Sequence, residues 1–542
     1  LFVKFIYKTL FLLLSITFIF SCARTGRPDG GPKDELAPIF VTSTPPYKTI
    51  NFSNKEVRLQ FNEFIKLKDL NKQLIVSPPL KNPLLVTPQG TASKFLKIQI
   101  LDTLAANTTY IFNFGNAIED NNENNKLENF KYIFSTGSYI DSLETSGFVA
   151  NAFTNKKPEK TNILLYRIDS TFTDSIIYKQ KPNYVTTALD TTKFNFTNLK
   201  KGKYLLLALE ENSSDYIFDP RIDKIGFYPE TITLPKDSVI IKPIKIFKEI
   251  QPYRFVRAKE VSKGKIEFGY EGKIKDLKVA LLSKVSDSFK SISRFEIDKD
   301  TLNYWHTPIA ADSLNFIVSN DIFRDTVTVK FRKNKLDSLK ITPSVGGTLH
   351  LRDTFFIKSN NPILKIDTSK IVFVDKDTLK VNYSNYISKK ENKIGFIFEK
   401  KQREKYSLKA LPGSFIDIYD IKNDSLNYNF KTIELEDYGR ITLNVVNTAS
   451  KYLIIDLLSG KENKQIIERR YINTSKTLVF NLLQPNTYAV RAIIDENNNK
   501  NWDTGNYLLK KLPEEVIYYE EELKVRANYF LEGNNFIIKG KE

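Results

Sequence analysis

Short stretches in which apolar and polar residues alternate are the feature that most constrains the fold. Residues 57–61 and 95–100 alternate in this way, and turn-forming runs such as Ser77-Pro78-Pro79 separate such stretches. Alternation with a period of two places every second side chain on one face of a β-strand, so that one face can be buried. Short strands at regular spacing are typical of antiparallel sandwiches. We therefore predict an all-β chain, built as an elongated string of antiparallel β-sandwich domains.

The length and the cysteine content set the number and the nature of the domains. The chain has 542 residues, which is too long for one hydrophobic core and indicates several domains of about 100 residues each. Its 39 phenylalanines and 27 tyrosines favour strands over helices. Cys22 is the only cysteine, so the domains cannot be joined by internal disulfides and must be stable through burial alone.

The N-terminal segment has the parts of an export signal. Lys4 and Lys8 precede an apolar run over residues 10–20, which ends at Ser21 and Cys22. A basic region, an apolar region and a small residue at a cleavage site define a secretory signal rather than a membrane-spanning helix. We predict that residues 1–21 are the signal peptide.

The end of this segment, Ile19-Phe20-Ser21-Cys22, resembles the lipobox of bacterial lipoproteins. The resemblance implies that Cys22 is acylated and becomes the mature N-terminus, so that lipid chains anchor the protein without a spanning segment. The alternative is a soluble secreted protein with an incidental cysteine. Residues 22–36 combine glycines, prolines and charges and are predicted to form a flexible tether. Ala23, directly after the cysteine, is not acidic, which fits transport to the outer membrane. The anchored protein could face either the periplasm or the cell surface.

Several motifs in the first quarter of the chain resemble the bacterial Ig-like lipoproteins of Bacteroidota. They are Gly30-Gly31-Pro32-Lys33-Asp34, Phe61-Asn62-Glu63-Phe64, Val76-Ser77-Pro78-Pro79, Asn107-Thr108-Thr109-Tyr110, Asn113-Phe114-Gly115-Asn116-Ala117-Ile118 and Phe134-Ser135-Thr136-Gly137. The resemblance implies an outer-membrane lipoprotein that opens with an Ig-like domain at residues 37–137. It does not imply one molecular function.

The following part of the chain is similar to transthyretin-like, carboxypeptidase-regulatory-like sandwiches, which implies such a domain at residues 138–250. Residues 483–492 repeat residues 199–208, and residues 349–358 parallel residues 57–66. Internal repetition indicates duplicated structural units. We therefore predict a β-rich middle domain at 251–340, a second, divergent Ig-like domain at 341–434 and a second transthyretin-like domain at 435–542.

The charge and the histidine content limit the classes of ligand and of activity that we expect. The net charge of +18 is spread along the chain without a long basic block. A positive field favours lipid phosphates, anionic glycans or an acidic partner, and the alternative is a solvated lysine-rich surface. The two histidines, His306 and His350, lie in different predicted domains. They are therefore poorly placed to bind one metal ion together or to serve in a catalytic triad. We expect no catalytic residues, no required cofactor and no nucleic-acid partner.

One stretch of the last predicted domain could bind a cation. Oxygen-bearing side chains alternate there, as a hard cation such as calcium requires. The candidate calcium ligands are Asp495, Asn497, Asn499, Asn501 and Asp503. The alternative is an Asx-rich turn between two strands. Trp502, beside these residues, is a candidate platform for a sugar ring.

A triplet of Asp, then Ser or Thr, then an aliphatic residue recurs along the chain. Such triplets resemble the O-glycosylation sites of exported Bacteroidota proteins, and the alternative is that they simply end turns before strands. The candidate glycan-bearing residues are Ser142, Ser175, Ser238, Ser313 and Ser425.

These features together favour a lipid-anchored, non-enzymatic scaffold or subunit of an outer-membrane assembly, such as a secretion, barrel-assembly or transport complex. The expected partners are an outer-membrane β-barrel or other lipoproteins. The alternative is an adhesion lipoprotein that binds envelope or environmental polysaccharide and has calcium-stabilised loops.

We predict that the native mature protein is heavier than its polypeptide plus a lipid anchor, because some of the five serines carry glycans. Intact-mass analysis of protein purified from its native membrane measures the excess. A variant with alanine at all five positions serves as the control and should lose part of that excess. A native mass equal to polypeptide plus lipid would contradict O-glycosylation.

Overall fold

The computed structural model describes residues 34–159, 161–188, 192–272, 277–296, 299–320, 323–332, 334–460, 462 and 465–539. Within them, regular structure is β-strand apart from one helical turn, α1 (Leu70–Gln73), and 3₁₀ helices at Asp174–Tyr178, Thr368–Lys370 and Leu435–Asp437. The predicted all-β class with antiparallel sandwiches is confirmed. The predicted signal peptide, Cys22 and most of the predicted tether lie outside the described residues.

Two compact units make up the chain. The first runs through Glu144 and includes Asn183–Thr186 and Phe196–Lys201, and the second contains Thr145–Pro182, Thr187–Asn195 and the chain from Gly202 onward.

A two-sheet sandwich forms most of the first unit. Its strands are β1 (Phe40–Thr44), β2 (Glu56–Leu67), β3 (Ile75–Ser77), β4 (Leu85–Thr87), β5 (Ser93–Gln99), β6 (Thr109–Asn113), β7 (Ile118–Asp120) and β8 (Lys131–Ser135). One sheet has the order β1–β2–β5–β4, with β7 also paired to β2, and the other has the order β3–β6–β8. Inward residues of both sheets, including Phe61, Phe112 and Phe134, form its core.

The second sandwich follows directly in sequence. Its strands are β9 (Leu143–Asn151), β10 (Asn162–Arg167), β11 (Tyr184–Thr187), β12 (Lys193–Leu199), β13 (Gly202–Glu210), β14 (Lys224–Phe227), β15 (Ile232–Leu234) and β16 (Ile244–Ile246). Strand β13 lies between β10 and β14 and also pairs with β15. Strand β16 returns to run parallel with β9.

A middle sandwich joins the two halves of the chain. Its strands are β17 (Arg254–Ser262), β18 (Lys265–Glu271), β19 (Lys278–Leu281), β20 (Ser291–Phe295), β21 (Thr301–His306), β22 (Ser313–Ser319) and β23 (Arg324–Lys330). The sheets β17–β18–β21–β20 and β19–β22–β23 pack around Phe268, Tyr304 and Phe316.

The fourth sandwich has the sheet orders of the first. Its strands are β24 (Ile341–Pro343), β25 (Phe355–Ser359), β26 (Ile363–Ile366), β27 (Ile371–Asp375), β28 (Tyr383–Ile387), β29 (Lys393–Phe398), β30 (Lys405–Ala410), β31 (Phe415–Asp417) and β32 (Leu426–Lys431). The sheets β24–β25–β29–β28 and β27–β30–β32 correspond to those of the first sandwich, and β26 pairs with β31.

The fifth sandwich repeats the pairing of the second. Its strands are β33 (Gly439–Asn447), β34 (Tyr452–Ser459), β35 (Gln465–Ile472), β36 (Lys476–Leu483), β37 (Asn486–Asp495), β38 (Val516–Tyr518), β39 (Leu523–Val525) and β40 (Phe530–Ile538). Strand β37 lies between β34 and β38 and also pairs with β39, as β13 does in the second sandwich. Strand β40 runs parallel with β33, as β16 does with β9.

Burial follows the alternation that the sequence shows. Along β33 every second residue is buried, and Ile441, Leu443 and Val445 point into the core. The repeated segments 199–208 and 483–492 run from the end of one strand into the central strand of a sheet in both sandwiches. The repeat in sequence is therefore a repeat in topology.

We predict that Phe355→Ala destabilises the fourth sandwich by about 3–5 kcal/mol, because it leaves a cavity in a fully packed core. Phe355 is completely buried and stacks on Phe430 at a ring-centroid distance of 4.4 Å. Urea unfolding of the variant measures the loss. Leu379→Ala is the control, because Leu379 is 62% exposed and its truncation should change the unfolding free energy little. Equal losses in the two variants would contradict this account of the core.

Candidate functional site

The loop after β37 is built from side-chain caps on its own backbone. The Asp495 carboxylate accepts the backbone N–H groups of Asn499 and Lys500 at 3.0 and 2.8 Å. Oδ2 of Asp503 accepts the side-chain amides of Asn497 and Asn499 at 2.6 and 3.0 Å. These are the contacts of an Asx-rich turn. Calcium binding by this loop stays a prediction, and it requires both asparagines to turn their amide oxygens, instead of their nitrogens, toward Asp503.

Glu514 holds the two ends of this loop together. Its carboxylate accepts the backbone N–H of Glu496 and that of Asp503, both at 2.9 Å. Its backbone carbonyl accepts the indole N–H of Trp502 at 2.9 Å. Burial raises the pKa of the Glu514 carboxyl. The loop thereby fixes the edge of the Trp502 ring.

The ring of Trp502 helps to cover the outer face of the sheet that contains β34 and β37. Ile454, Ile493 and Val516 are buried on this face, although they lie outside the core of the fifth sandwich. Phe153, from the turn after β9 of the second sandwich, packs on Trp502 with ring centroids 4.8 Å apart. This face is therefore the contact between the second and the fifth sandwiches.

A buried carboxylate lies on the same face. Asp456 is fully buried, and Arg469 and Arg491 flank it on the neighbouring strands. Arg469 donates to both Asp456 oxygens at 2.6 and 2.9 Å, and Arg491 donates to Oδ2 at 2.9 and 2.8 Å. The guanidinium of Arg491 also lies 4.2 Å from the ring centroid of Phe153. Charge-assisted bonds and a cation–π contact offset the cost of burying these charges.

The fifth sandwich inserts an aromatic residue into the second in return. Tyr507 is fully buried, and its backbone N–H donates to Oε1 of Glu249 at 2.6 Å. Its ring packs edge-on against Phe227 at 5.6 Å, and its hydroxyl donates to Asp174 at 3.3 Å. Burial raises the pKa of the Tyr507 hydroxyl. Each of the two sandwiches therefore packs on an aromatic side chain of the other, and of these Tyr507 is fully buried and Phe153 half-buried.

The backbone next to Tyr507 approaches the second sandwich closely. The Thr504 hydroxyl donates to the carbonyl of Lys248 at 2.7 Å. A Cβ atom on Gly505 would lie 2.6 Å from the Phe247 ring and 2.7 Å from the carbonyl oxygen of Lys511. Glycine is required at position 505 because no side chain fits between these groups.

A cleft of about 820 Å³ lies beside this contact, with walls from the second, middle and fifth sandwiches. Four of its charged groups form two ion pairs, Arg221 with Asp219 at 2.9 Å and Arg254 with Glu271 at 2.8 Å. Trp502 forms part of the wall. The cleft combines an aromatic surface with hydrogen-bonding groups of both signs.

The candidate modification sites are distributed over the surface. Ser142, Ser175, Ser238 and Ser425 are exposed, and Ser313 is half-buried at the first residue of β22. An exposed hydroxyl is accessible to a modifying enzyme, and glycosylation of these serines stays a prediction. Cys22 lies outside the described residues. Trp305 is only 4% exposed, so Trp502 is the more accessible of the two tryptophans.

The histidines are structural. His306 is buried between the rings of Phe289 and Phe331, and burial lowers the pKa of its imidazole. Nε2 of His350 contacts the carbonyl of Leu482 at 2.7 Å. In the part of the chain that the structure describes, no group of three or more His, Cys, Asp or Glu side chains is arranged to hold a metal ion.

The described residues include no helix with the length and apolar character needed to cross a membrane.

Apart from Trp502, the residues named in this contact were not among the candidates from the sequence. Asp456 lies in the apolar run Leu453-Ile454-Ile455-Asp456-Leu457-Leu458, and Arg491 lies in a similar run of β37. A charged residue inside a strand that is apolar on both faces requires a buried partner. That signal could have pointed to this face, whereas nothing in the sequence marks Phe153 or Tyr507 among the many aromatic residues.

Comparison with known families identifies two segments. Residues 34–136 match the model of the bacterial Ig-like domain, and residues 422–516 match that of a family described as uncharacterized proteins conserved in bacteria (DUF2141). The chain therefore contains an Ig-like domain in its N-terminal part. No curated protein matches the chain.

Solved structures with many β domains resemble the chain weakly. The surface layer protein SbsC, domains 1–6, is 11% identical with a TM-score of 0.16, and the match covers 90% of this chain and 67% of that one. SGBP-B of the Bacteroides ovatus mixed-linkage glucan utilization locus, in complex with a heptasaccharide, is 10% identical with a TM-score of 0.18 and coverages of 71% and 94%. The titin I9–I11 tandem is 9% identical with a TM-score of 0.12 and coverages of 52% and 100%. These values support no inference about function.

We predict that Tyr507→Ala uncouples the fifth sandwich from the second, since removal of a buried aromatic side chain costs about 3–5 kcal/mol. Tyr507→Phe keeps the ring contact with Phe227 and loses only one hydrogen bond, worth about 1 kcal/mol. Calorimetry combined with limited proteolysis at residues 504–511 measures the coupling. The alanine variant should be cleaved faster and should unfold in more separated steps than the phenylalanine variant. Indistinguishable profiles for wild type and Tyr507→Ala would refute the proposed coupling.

A second prediction concerns pH. Burial raises the pKa of Glu249, so the folded protein holds this proton more tightly than the unfolded chain does. The stability that Glu249 contributes is therefore complete below its unfolded pKa and is lost as the pH rises through its folded pKa. Glu249→Gln keeps an acceptor for the Tyr507 N–H without the charge. We expect a higher Tm for this variant at neutral pH and a difference that shrinks toward about pH 4, near the ordinary pKa of glutamate.

Thermal unfolding of wild type and Glu249→Gln across this pH range provides the measurement. Glu521→Gln, at an exposed glutamate, is the control and should follow wild type at every pH. A Tm difference that grows toward acid pH would have the wrong sign for a raised pKa.

Proposed function

We propose that this protein is a lipid-anchored, non-enzymatic scaffold or subunit of an outer-membrane protein assembly, such as a secretion, barrel-assembly or transport complex. In this proposal it belongs to the Ig-like outer-membrane lipoproteins of Bacteroidota, and Cys22 carries the lipid. The second and fifth sandwiches are transthyretin-like. An outer-membrane β-barrel or another lipoprotein is the partner, and the protein faces either the periplasm or the cell surface.

The observation that carries the proposal is the reciprocal contact between the second and fifth sandwiches. Tyr507 is buried in the second sandwich, the half-buried ring of Phe153 packs on the fifth, and the Asp456 charge cluster lies beneath Phe153. This contact holds the outward surfaces of the two sandwiches in a fixed relation. A preorganised surface loses less conformational freedom when it binds a partner, which suits a scaffold.

The test is an affinity purification of the tagged full-length protein from gently solubilised outer membranes, followed by quantitative mass spectrometry. We expect an outer-membrane barrel or another lipoprotein in stoichiometric amount. An untagged strain controls for nonspecific recovery. Recovery of the protein alone would overturn the role as a stable subunit.

The anchor has its own test. Wild type should incorporate radiolabelled palmitate and sediment with membranes, whereas Cys22→Ser should do neither. Palmitate labelling that persists in Cys22→Ser would overturn lipid anchoring at this residue. The assembly role would still be tested by the affinity purification.

The cleft beside Trp502 favours a second candidate function, the binding of envelope or environmental polysaccharide. Its aromatic wall and its charged groups of both signs suit a polyhydroxylated ligand. Screening of the purified protein on a glycan array, with and without calcium, tests this function. Absence of binding in both conditions would exclude it, and a calcium requirement would support the predicted role of the loop at Asp495.

A further inference from the structure

The outer face of the sheet β27–β30–β32 in the fourth sandwich is rich in lysine. Alternate residues of a strand share a face of the sheet. The strand register places three cross-strand pairs on this outer face. These pairs are Val372 with Lys409, Val374 with Ser407, and Lys405 with Lys431. A concavity of about 560 Å³ opens over the face, and Lys376 also lines it.

The pairing of Lys405 with Lys431 is unfavourable in the isolated protein. Residues directly opposite one another in an antiparallel sheet have Cβ atoms about 5 Å apart, and like charges there destabilise the sheet. Lys376, Lys405, Lys409 and Lys431 take part in none of the ion pairs formed by the described residues. Among the described residues that line the concavity, a single carboxylate, Asp375, accompanies these four lysines, so the face keeps a net positive charge.

In the described part of the chain, the carboxylates nearest to this face, Asp375 and Glu404, form no ion pair with the four lysines. Asp375 is buried and accepts the backbone N–H groups of Asp377 and Leu379 at 3.1 and 3.0 Å. Glu404 is also buried and accepts the backbone N–H groups of Lys376 and Lys405 at 3.3 and 3.0 Å. Asp375 also lines the concavity, where its carboxylate contacts Nζ of Lys401 at 3.8 Å. Both carboxylates are therefore engaged with groups other than the four lysines.

We propose that this face binds an acidic segment of a partner protein. Carboxylates of the segment would lie between Lys405 and Lys431 and beside Lys409, and its apolar side chains would contact Val372, which is 47% exposed, and Val374. A protein segment with interspersed acidic and apolar residues supplies both kinds of contact. A polyanionic glycan or a lipid headgroup supplies only the charge.

The sheet edge fits an extended segment. Strand β32 pairs with β30 on one side, and on the other side the described residues add only the bridge between Thr348 and Lys431. An added strand would use the backbone groups of residues 426–429 and place every second side chain on the lysine face. The inference rests on the proposed function, and it names the chemistry by which the partner is recognised.

The direct test uses a defined probe, a fluorescent synthetic peptide that alternates glutamate and valine, titrated with the full-length protein. We expect saturable binding that weakens with added salt, because exposed charges are screened. Binding should fall at least about tenfold for the double variant Lys405→Glu and Lys431→Glu, which corresponds to about 1.4 kcal/mol. A peptide that alternates lysine and valine should not bind.

The matched control is the double variant Lys389→Glu and Lys390→Glu, which makes the same charge change at exposed lysines of the same sandwich. It should bind the acidic peptide as wild type does, and thermal unfolding shows that both variants are folded. Three outcomes would overturn the inference. The peptide fails to bind wild type, the two variants bind it equally well, or the protein binds polygalacturonate or phosphatidylglycerol vesicles more tightly than the peptide.

The affinity purification separates this inference from the proposed function. A partner recovered with wild type and with the 389/390 variant but lost with the 405/431 variant agrees with the peptide result. A partner recovered equally with all three proteins overturns this binding face and leaves the assembly role intact. If wild type recovers no partner, the assembly role is overturned. The proposal that the lysine face recognises such a partner is then overturned as well.

Discussion

The contact on which the second unit depends is a buried cluster of charge and aromatic rings on the outer face of β34 and β37. Asp456 is held by two arginines, and Phe153 of another sandwich closes over one of them. Removal of either charge partner at Asp456 would leave a buried charge without full compensation, which is more costly than the absence of the whole cluster. The three charged residues belong to the fifth sandwich, and the ring of Phe153 from the second sandwich covers Arg491.

The repeated topology explains how such a contact arises. The second and fifth sandwiches share the same central strand arrangement and the same parallel closing strand. Their outer faces differ in kind, because Leu164 and Leu207 of the second sandwich are apolar and buried whereas Asp456 and Arg491 of the fifth are charged and buried. Duplicated domains that diverge at such positions can bury each other's surfaces while they keep the same core. The fourth sandwich instead presents a lysine-rich outer face.

Much of the fold could be predicted from the sequence. The alternation along β2, β5 and β6, the turn residues between strands and the repeat of residues 199–208 all depend on local geometry, in which the period of two sets which side chains face inward. The candidate site was less predictable. The Asn-rich loop at Asp495 was visible as a motif, yet its fold decides that Asp495 caps its backbone and that Asp503 accepts the side-chain amides of two asparagines. Tyr507 has no local pattern that separates it from the other tyrosines, because its partners Glu249 and Phe227 are remote in sequence.

The sequence by itself determined the all-β class, the inward-facing residues of the strands, the duplication and the absence of stabilising disulfides between domains. These properties follow from spacing and composition, which act over a few residues. Only the tertiary structure decided that the turn at Phe153 covers the fifth sandwich, that Tyr507 enters the second, and that Lys405 stands opposite Lys431. Such pairings depend on the strand register and on which faces of the sandwiches meet. Neither is determined by residues that are neighbours in the sequence.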